Sequence, residues 1–293
     1  MNRLNAISLG YAVPRDDFTA QVHGVFTHAV NLSLLTTGQL ITLVTRGEPD
    51  LPQGIRLDTP ESFTFEGLST GKKTFCRNGT LSLTDGELLV DLHIAKLWKC
   101  NLQALAINIH DPLVNKSWQC AMNLINQEYT GTQNGSLGFQ FTIVCKINEI
   151  SKELITFTQQ MDEISFERTI KKLIGLGPGL TPAGDDFLVG FLAGLWSTAG
   201  KNARHVHFLR QIRNAVERNS YRTNDISLIY LYHATHGQVS SRLRDLAGVI
   251  SCGKSNGDLE KAIEASIHVG HISGFMATKG LLEAMMVWNR DKF

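Results

Sequence analysis

The segment Gly175-Leu-Gly-Pro-Gly-Leu-Thr-Pro-Ala-Gly-Asp-Asp186 holds four glycines and two prolines in twelve positions. Glycine loses the most conformational freedom on ordering and proline lacks an N–H, so no regular element runs through such a stretch. Apolar residues at helical spacing flank it: Phe166, Ile170, Leu173 and Ile174 before, Phe187, Leu188, Phe191, Leu192 and Leu195 after. It therefore reads as a shaped loop between two helices. Helical periodicity continues on both sides, over roughly residues 162–174, 185–199, 204–218, 225–236, 238–251, 258–268 and 273–288.

Upstream of about residue 148 the period changes to two. Val22 to Leu35 and Leu40 to Thr45 flank the turn Thr36-Thr-Gly38, and Thr80 to Leu83 and Leu88 to His93 flank Thr84-Asp-Gly-Glu87, the form of two hairpins. Ala104 to Ile109 and the alternating run Gly138 to Ile147 add expected strands; Lys116 to Gln127 is an expected helix, and Thr130 to Ser136 a loop. The expected fold is α+β: a mainly β domain over residues 1–150, then an all-helical domain over 151–293 carrying the glycine-rich loop.

A chain of 293 residues, 43% hydrophobic and 19% charged, has material for a sizeable core in one or two domains. Lysine plus arginine (28) nearly balance aspartate plus glutamate (27), so no general attraction to nucleic acid or to a membrane surface is expected, and any anion site must be local. The longest apolar stretch, Phe187 to Trp196, falls short of the ~20 residues that span a bilayer and reads as a buried helix. Met1 to Pro14 lacks the apolar run of a signal peptide. The five cysteines are scattered, odd in number and free of Cys-x-x-Cys pairs, which points to reduced thiols in a cytoplasm.

A glycine loop that opens a helix offers unpaired N–H groups and a positive dipole end, the arrangement that suits an anion. Gly177, Gly179, Leu180 and Thr181 are the expected donors, for a small anionic substrate. Asp185 and Asp186 sit at the same helix start, where they cap the helix or hold a hard cation such as magnesium. A capped interhelical turn with no ligand satisfies the same spacing. A second glycine-bounded turn, Gly270-His-Ile-Ser-Gly274, brings His271 and Ser273 to another helix start, where Ser273 serves either the anion or only the helix cap.

Two other patterns invite chemistry and fail on context. Gly248-Val-Ile-Ser-Cys-Gly-Lys-Ser255 matches the P-loop expression, but a helical pattern leads into it and Asn256-Gly257 follows, so it reads as a loop between helices. His233 with His236, and His268 with His271, have the three-residue separation of ligands on one helix face, without a third ligand at fixed spacing.

The glycine loop also resembles the H-type subunit family of oxamate carbamoyltransferase, formerly a domain of unknown function. The resemblance rests on Gly177-Pro-Gly-Leu-Thr-Pro182 with Asp185 and Asp186, on Asp225-Ile-Ser-Leu-Ile-Tyr-Leu-Tyr-His-Ala-Thr-His-Gly237, which contains Ser227, and on Gly270-His-Ile-Ser-Gly274. It extends with specific residues from about Thr169 to Leu282; in the first 150 residues it is limited to Gly24-Val-Phe-Thr-His-Ala-Val-Asn-Leu-Ser33. The resemblance implies a subunit of a carbamoyltransferase that interconverts oxamate plus carbamoyl phosphate with oxalurate plus phosphate in allantoin degradation, a branch of purine catabolism. The candidate catalytic residues are Asp185, Asp186 and His271, with Gly177, Gly179, Leu180, Thr181, Ser227 and Ser273 as candidate substrate-binding residues. The resemblance also implies partner subunits, one of them acyl-CoA-synthetase-like. The alternative is a non-catalytic assembly or anion-binding subunit whose glycine loop is a docking turn.

Overall fold

Alternating burial organises the first hundred residues. In the computed structural model, which describes residues 2–83, 88–132, 138–253, 256–267 and 272–290, this part contains β1 (Asn2–Gly10), β2 (Phe18–Val25), β3 (Ala29–Leu34), β4 (Leu40–Val44), β5 (Gly54–Leu57), β6 (Lys73–Arg77), β7 (Thr80–Leu83), β8 (Leu88–Asp91) and β9 (Lys96–Trp98). β6, β7 and β8 bury every second side chain: Thr74 and Cys76, Leu81 and Leu83, Leu88 and Val90. The hydrogen-bonded order is β5-β4-β3-β2-β6-β7-β8-β1, and β1 also pairs with β5, closing eight strands into a barrel. Eight strands enclose a space that side chains alone fill, here with Val22, Leu32, Ile41, Leu43, Ile55 and Leu57.

Closure depends on β1 serving several partners. Its residues Asn2 to Asn5 pair parallel with β8, Ala6 to Leu9 pair antiparallel with β5 across an irregularity between Ala6 and Ser8, and Ser8 to Gly10 pair parallel with β9. Such a bulge bends a strand and lets one segment change neighbours. The run read as Val22 to Leu35 is two strands, β2 and β3, turning over Phe26 to His28. β3 and β4 form the first hairpin, with Ser33 opposite Leu40 and Gly38 at φ 71°. β7 and β8 form the second, while its turn, Thr84 to Glu87, lies outside the described residues.

The chain divides into two compact units, Met1–Cys100 and Asn101–Phe293. The helices begin at Pro112, well before residue 150: α1 (Pro112–Thr132), α2 (Gly138–Gln160), α3 (Glu163–Leu173), α4 (Ala183–Ala199), α5 (Ala203–Arg218), α6 (Asp225–Thr235), α7 (Ser241–Ser251), α8 (Asn256–Ile267) and α9 (Ser273–Ala284). Two expected strands are absent. Gly138 to Ile147 is the first part of α2, whose buried Ile143, Val144, Ile147, Ile150 and Leu154 follow a helical stripe. Ala104 to Ile109 lies on a 3-10 turn, Gln103–Leu105, followed by Ala106 at φ 44°; the Ile107 N–H bonds the Ser197 carbonyl at 2.8 Å in place of a strand partner.

α4 is apolar on nearly every side and is accordingly buried, with Phe187, Leu188, Phe191, Leu192 and Leu195 all at 1% exposure or less. No helix among the described residues is long and apolar enough to cross a membrane. α9 lies along α4 at a distance set by small residues: a Cβ added to Gly190 lies 1.8 Å from the Ala277 carbonyl oxygen, and one added to Gly280 lies 2.2 Å from that of Phe187. Side-chain caps start α3, α5 and α6, where Asp162, Asn202 and Asn224 each accept two backbone N–H bonds.

On α9, Lys279 and Glu283 form an ion pair at 2.6 Å with side chains only 13% and 14% exposed, and Glu283 Oε2 is buried without a hydrogen bond. Removing one member of a shielded pair strands the other charge. Lys279→Met is expected to lower stability by about 3 kcal/mol, and the double change Lys279→Met with Glu283→Leu to recover most of it. Denaturant midpoints of the two variants check this; equal loss in both removes the pairing explanation.

Candidate functional site

The helix start after the glycine loop is built around Asp185. The capping position of α4 is Pro182, which has no side-chain cap; its carbonyl accepts the N–H groups of Asp185 and Asp186 at 2.9 and 3.1 Å. Both aspartates therefore stand inside the first turn, where their charge complements the helix dipole. Asp185, 1% exposed, accepts the Gly175 N–H at 2.9 Å through Oδ1 and the Thr223 hydroxyl at 2.5 Å through Oδ2. Burial pushes its carboxyl up, and bonds from Thr223, Gly175 and Ser227 oppose that rise. One carboxylate thus ties the loop entrance to the segment ahead of α6. Gly175 sits at φ 75°, and a Cβ there meets the Arg222 carbonyl oxygen at 2.1 Å, so only glycine allows this closure.

Asp186 has a different environment. Its Oδ2 is shielded from solvent and has no hydrogen bond to any described residue. Burial and the neighbouring Asp185 charge push its carboxyl up to about 7, with the Ser273 and Thr181 hydroxyls offsetting part of the rise. Those two hydroxyls lie 2.8 Å apart, Thr181 Oγ1 to Ser273 Oγ, and so bring the glycine loop and the start of α9 together. Within the loop, the Leu176 N–H bonds the Leu173 carbonyl and the Gly184 N–H bonds that of Leu176. The N–H groups of Gly177, Gly179, Leu180 and Thr181 have no partner among the described residues. Leu180 is 51% exposed, placing this part of the loop at the surface.

The expected residues thus fall into two groups. Gly177, Gly179, Leu180, Thr181, Asp186 and Ser273 surround the open loop, whereas Asp185 and the buried Ser227 belong to the supporting hub. His271 lies outside the described residues, as does His268. Asp185 has both oxygens engaged, which leaves the expected magnesium pair with one available carboxylate. Among the described residues no group of three or more His, Cys, Asp or Glu side chains is placed to hold a metal ion. Burial drops the His233 ring to about 4, keeping it neutral, and His236 Nδ1 lies 2.8 Å from the Tyr232 carbonyl. Gly248 to Ser251 are helical, as part of α7, and Lys254 and Ser255 lie outside the described residues.

Thr223 was not legible as a site residue. It is 38 positions from the aspartate it bonds, and no local spacing marks it.

No solved structure matches the chain. Residues 173–285 match the family described as oxamate carbamoyltransferase subunit AllH, and residues 5–97 match the AllH family N-terminal domain. The first match spans the glycine loop, the Asp185 hub and the start of α9; the second spans most of the barrel. Together they cover most of the chain, which therefore belongs to the AllH family of oxamate carbamoyltransferase subunits.

Proposed function

We propose that the glycine loop holds the phosphate group in carbamoyl transfer between oxamate and phosphate, and that Asp186 moves the proton. The observation that carries this proposal is the shielded, unbonded Oδ2 of Asp186 beside a loop with four unpartnered N–H groups. Backbone donors at a helix start hold phosphate oxygens without rearranging as charge develops. The Thr181 and Ser273 hydroxyls, 2.8 Å apart, add donors beside the loop.

In the synthetic direction the oxamate nitrogen attacks the carbamoyl carbon of carbamoyl phosphate, the carbon–oxygen bond to phosphate breaks, and the nitrogen gives a proton to the Asp186 carboxylate. In phosphorolysis a phosphate oxygen attacks the carbamoyl carbon of oxalurate, the carbon–nitrogen bond breaks, and protonated Asp186 returns the proton to the leaving nitrogen. A carboxyl held at about 7 serves in both directions because neither form is scarce near neutrality. On this proposal the chain works in the cytoplasm during allantoin degradation, in a complex with an acyl-CoA-synthetase-like member.

The test is phosphate-dependent breakdown of oxalurate by the chain alone and by the chain with its partner subunits. Thr181→Val is expected to raise the phosphate KM by about 10-fold, the loss of one hydrogen bond to a charged group. Full activity in complexes lacking this chain assigns the chemistry to the partners and leaves an assembly subunit.

A further inference from the structure

A cleft of about 530 Å3 opens beside the glycine loop, with Gly175 and Leu176 in its wall. α2 contributes Lys146, Glu149 and Glu153; the end of α3 contributes Lys171 and Lys172; Arg222 closes the side nearest the Asp185 hub. Four cations thus face two carboxylates. Two of the cations are committed, Lys172 to Glu153 at 2.6 Å and Lys171 to Glu167 at 3.8 Å. Lys146 and Arg222 have no ion-pair partner among the described residues.

Arg222 is also held in place. Its N–H bonds the Asn219 carbonyl at 3.1 Å, its carbonyl rests where a Gly175 Cβ would stand, its guanidinium lies 6.0 Å from the centre of the Tyr221 ring, and the next residue, Thr223, is bonded to Asp185. The hub that shapes the loop entrance therefore also fixes the backbone from which this guanidinium projects.

We propose that Arg222 and Lys146 form a carboxylate subsite at the Gly175 end of this cleft, receiving the carboxylate of the carbamoyl acceptor while the glycine loop receives phosphate. The proposal rests on the carbamoyl-transfer reading above and assigns the second anion of the reaction to a separate place. A guanidinium binds a carboxylate through two parallel N–H bonds, and a lysine opposite adds a point charge. Ile150 and Ile174 also line the cleft and give it apolar wall against the carbon skeleton of the ligand.

The test compares Arg222→Gln and Lys146→Gln in the complex reconstituted with partner subunits. The oxalurate KM is expected to rise about 10- to 100-fold in Arg222→Gln and less in Lys146→Gln, with the phosphate KM within about twofold of wild type in both. Because Arg222 meets Gly175 through its backbone carbonyl alone, the side-chain change leaves that close approach intact, and an unchanged phosphate KM reports that. An unchanged oxalurate KM in both variants overturns the subsite, and so does a parallel rise in both KM values. If Thr181→Val leaves the phosphate KM unmoved while Arg222→Gln shifts that of oxalurate, the phosphate assignment fails and the carboxylate subsite stands. Calorimetric titration of the full chain with oxamate gives a second readout. Saturable binding lost in Arg222→Gln supports the subsite, and no saturable binding to wild type at about 10 mM removes it from this chain.

Discussion

Asp186→Asn is expected to lower carbamoyl transfer by at least about 100-fold while making the chain more stable at about pH 8. The two effects share one cause. The Asp186 carboxyl is held at about 7 by burial and by the Asp185 charge, so the folded chain binds this proton more readily than the unfolded chain does. Stability from a raised carboxyl is fully present below the ordinary carboxylate range and is lost as pH climbs through about 7. Above that point the fold carries a shielded charge that asparagine does not have. Allowing for the partial exposure of Asp186, the gain is about 1 to 3 kcal/mol, or a rise in unfolding midpoint of about 3 to 8 °C. The proton transfer disappears because an amide neither accepts nor returns the proton at neutral pH. Thermal unfolding across about pH 4 to 8 should show a downward slope in wild type that is reduced in the variant. A variant retaining more than about a tenth of the wild-type rate takes Asp186 out of proton transfer.

Burial raises the Asp185 carboxyl as well, so Asp185→Asn also relieves a buried charge at the same pH, but here the loss of hydrogen bonds opposes that gain. Gly175 N–H and the Thr223 hydroxyl both donate to this carboxylate, and an amide offers an acceptor on one side only. The hub loses a bond and leaves a buried donor unsatisfied, at a cost of about 1 to 3 kcal/mol. A loss, or a clearly smaller gain, in Asp185→Asn than in Asp186→Asn separates the group that supports the loop from the group that faces it.

Much of the helical unit was legible because its signals are local. The bounds of α3 to α9 follow apolar stripes that recur every three or four residues, and Asp162, Asn202 and Asn224 mark three of the starts. α2 was misread because Gly138 to Ile147 is rich in aromatic and β-branched residues and alternates over a window too short to separate the two periods. Its helical stripe emerges when Ile150 and Leu154 are included. Barrel closure was not legible at all: it rests on β1 bending at Ala6 to Ser8 and pairing with a strand some fifty residues away, a contact that local pattern does not encode. The glycine loop showed itself by composition and Ser273 by its own glycine turn. Arg222 stood out in the sequence as a cation near a helix start, suited to a carboxylate or to a solvated surface alike, whereas Thr223 and Lys146 reach the loop and its cleft only through packing of segments distant in the chain.

Gly190→Val is expected to unfold the helical unit or leave it barely stable. A Cβ at Gly190 stands 1.8 Å from the Ala277 carbonyl oxygen, inside the contact distance of any two atoms, and the obstacle is backbone with no rotamer to move away. α4 and α9 must then separate along their length, which also breaks the close approach of Gly280 to the Phe187 carbonyl. Overpacking costs typically about 1 to 3 kcal/mol where side chains give way; with two backbones in direct opposition the loss is expected to exceed about 4 kcal/mol, a large share of the ~5 to 15 kcal/mol that keeps a domain folded. Gly248 on α7 is the control, because nothing lies within 4 Å of a Cβ added there. Gly248→Ala should stabilise by about 0.5 to 1 kcal/mol through helix propensity alone. Denaturant unfolding of the two variants separates close packing from a general intolerance of glycine replacement. The functional consequence follows from the same geometry: Thr181 and Asp186 sit at the start of α4 and Ser273 at the start of α9. Gly190→Ala adds that same Cβ and is expected to cost nearly as much; in the fraction that stays folded at low temperature the Thr181 and Ser273 hydroxyls should move beyond hydrogen-bond distance and the phosphate KM should rise. If Gly190→Ala matches wild type in both stability and phosphate KM, the packing of α4 on α9 does not set the spacing of the loop donors.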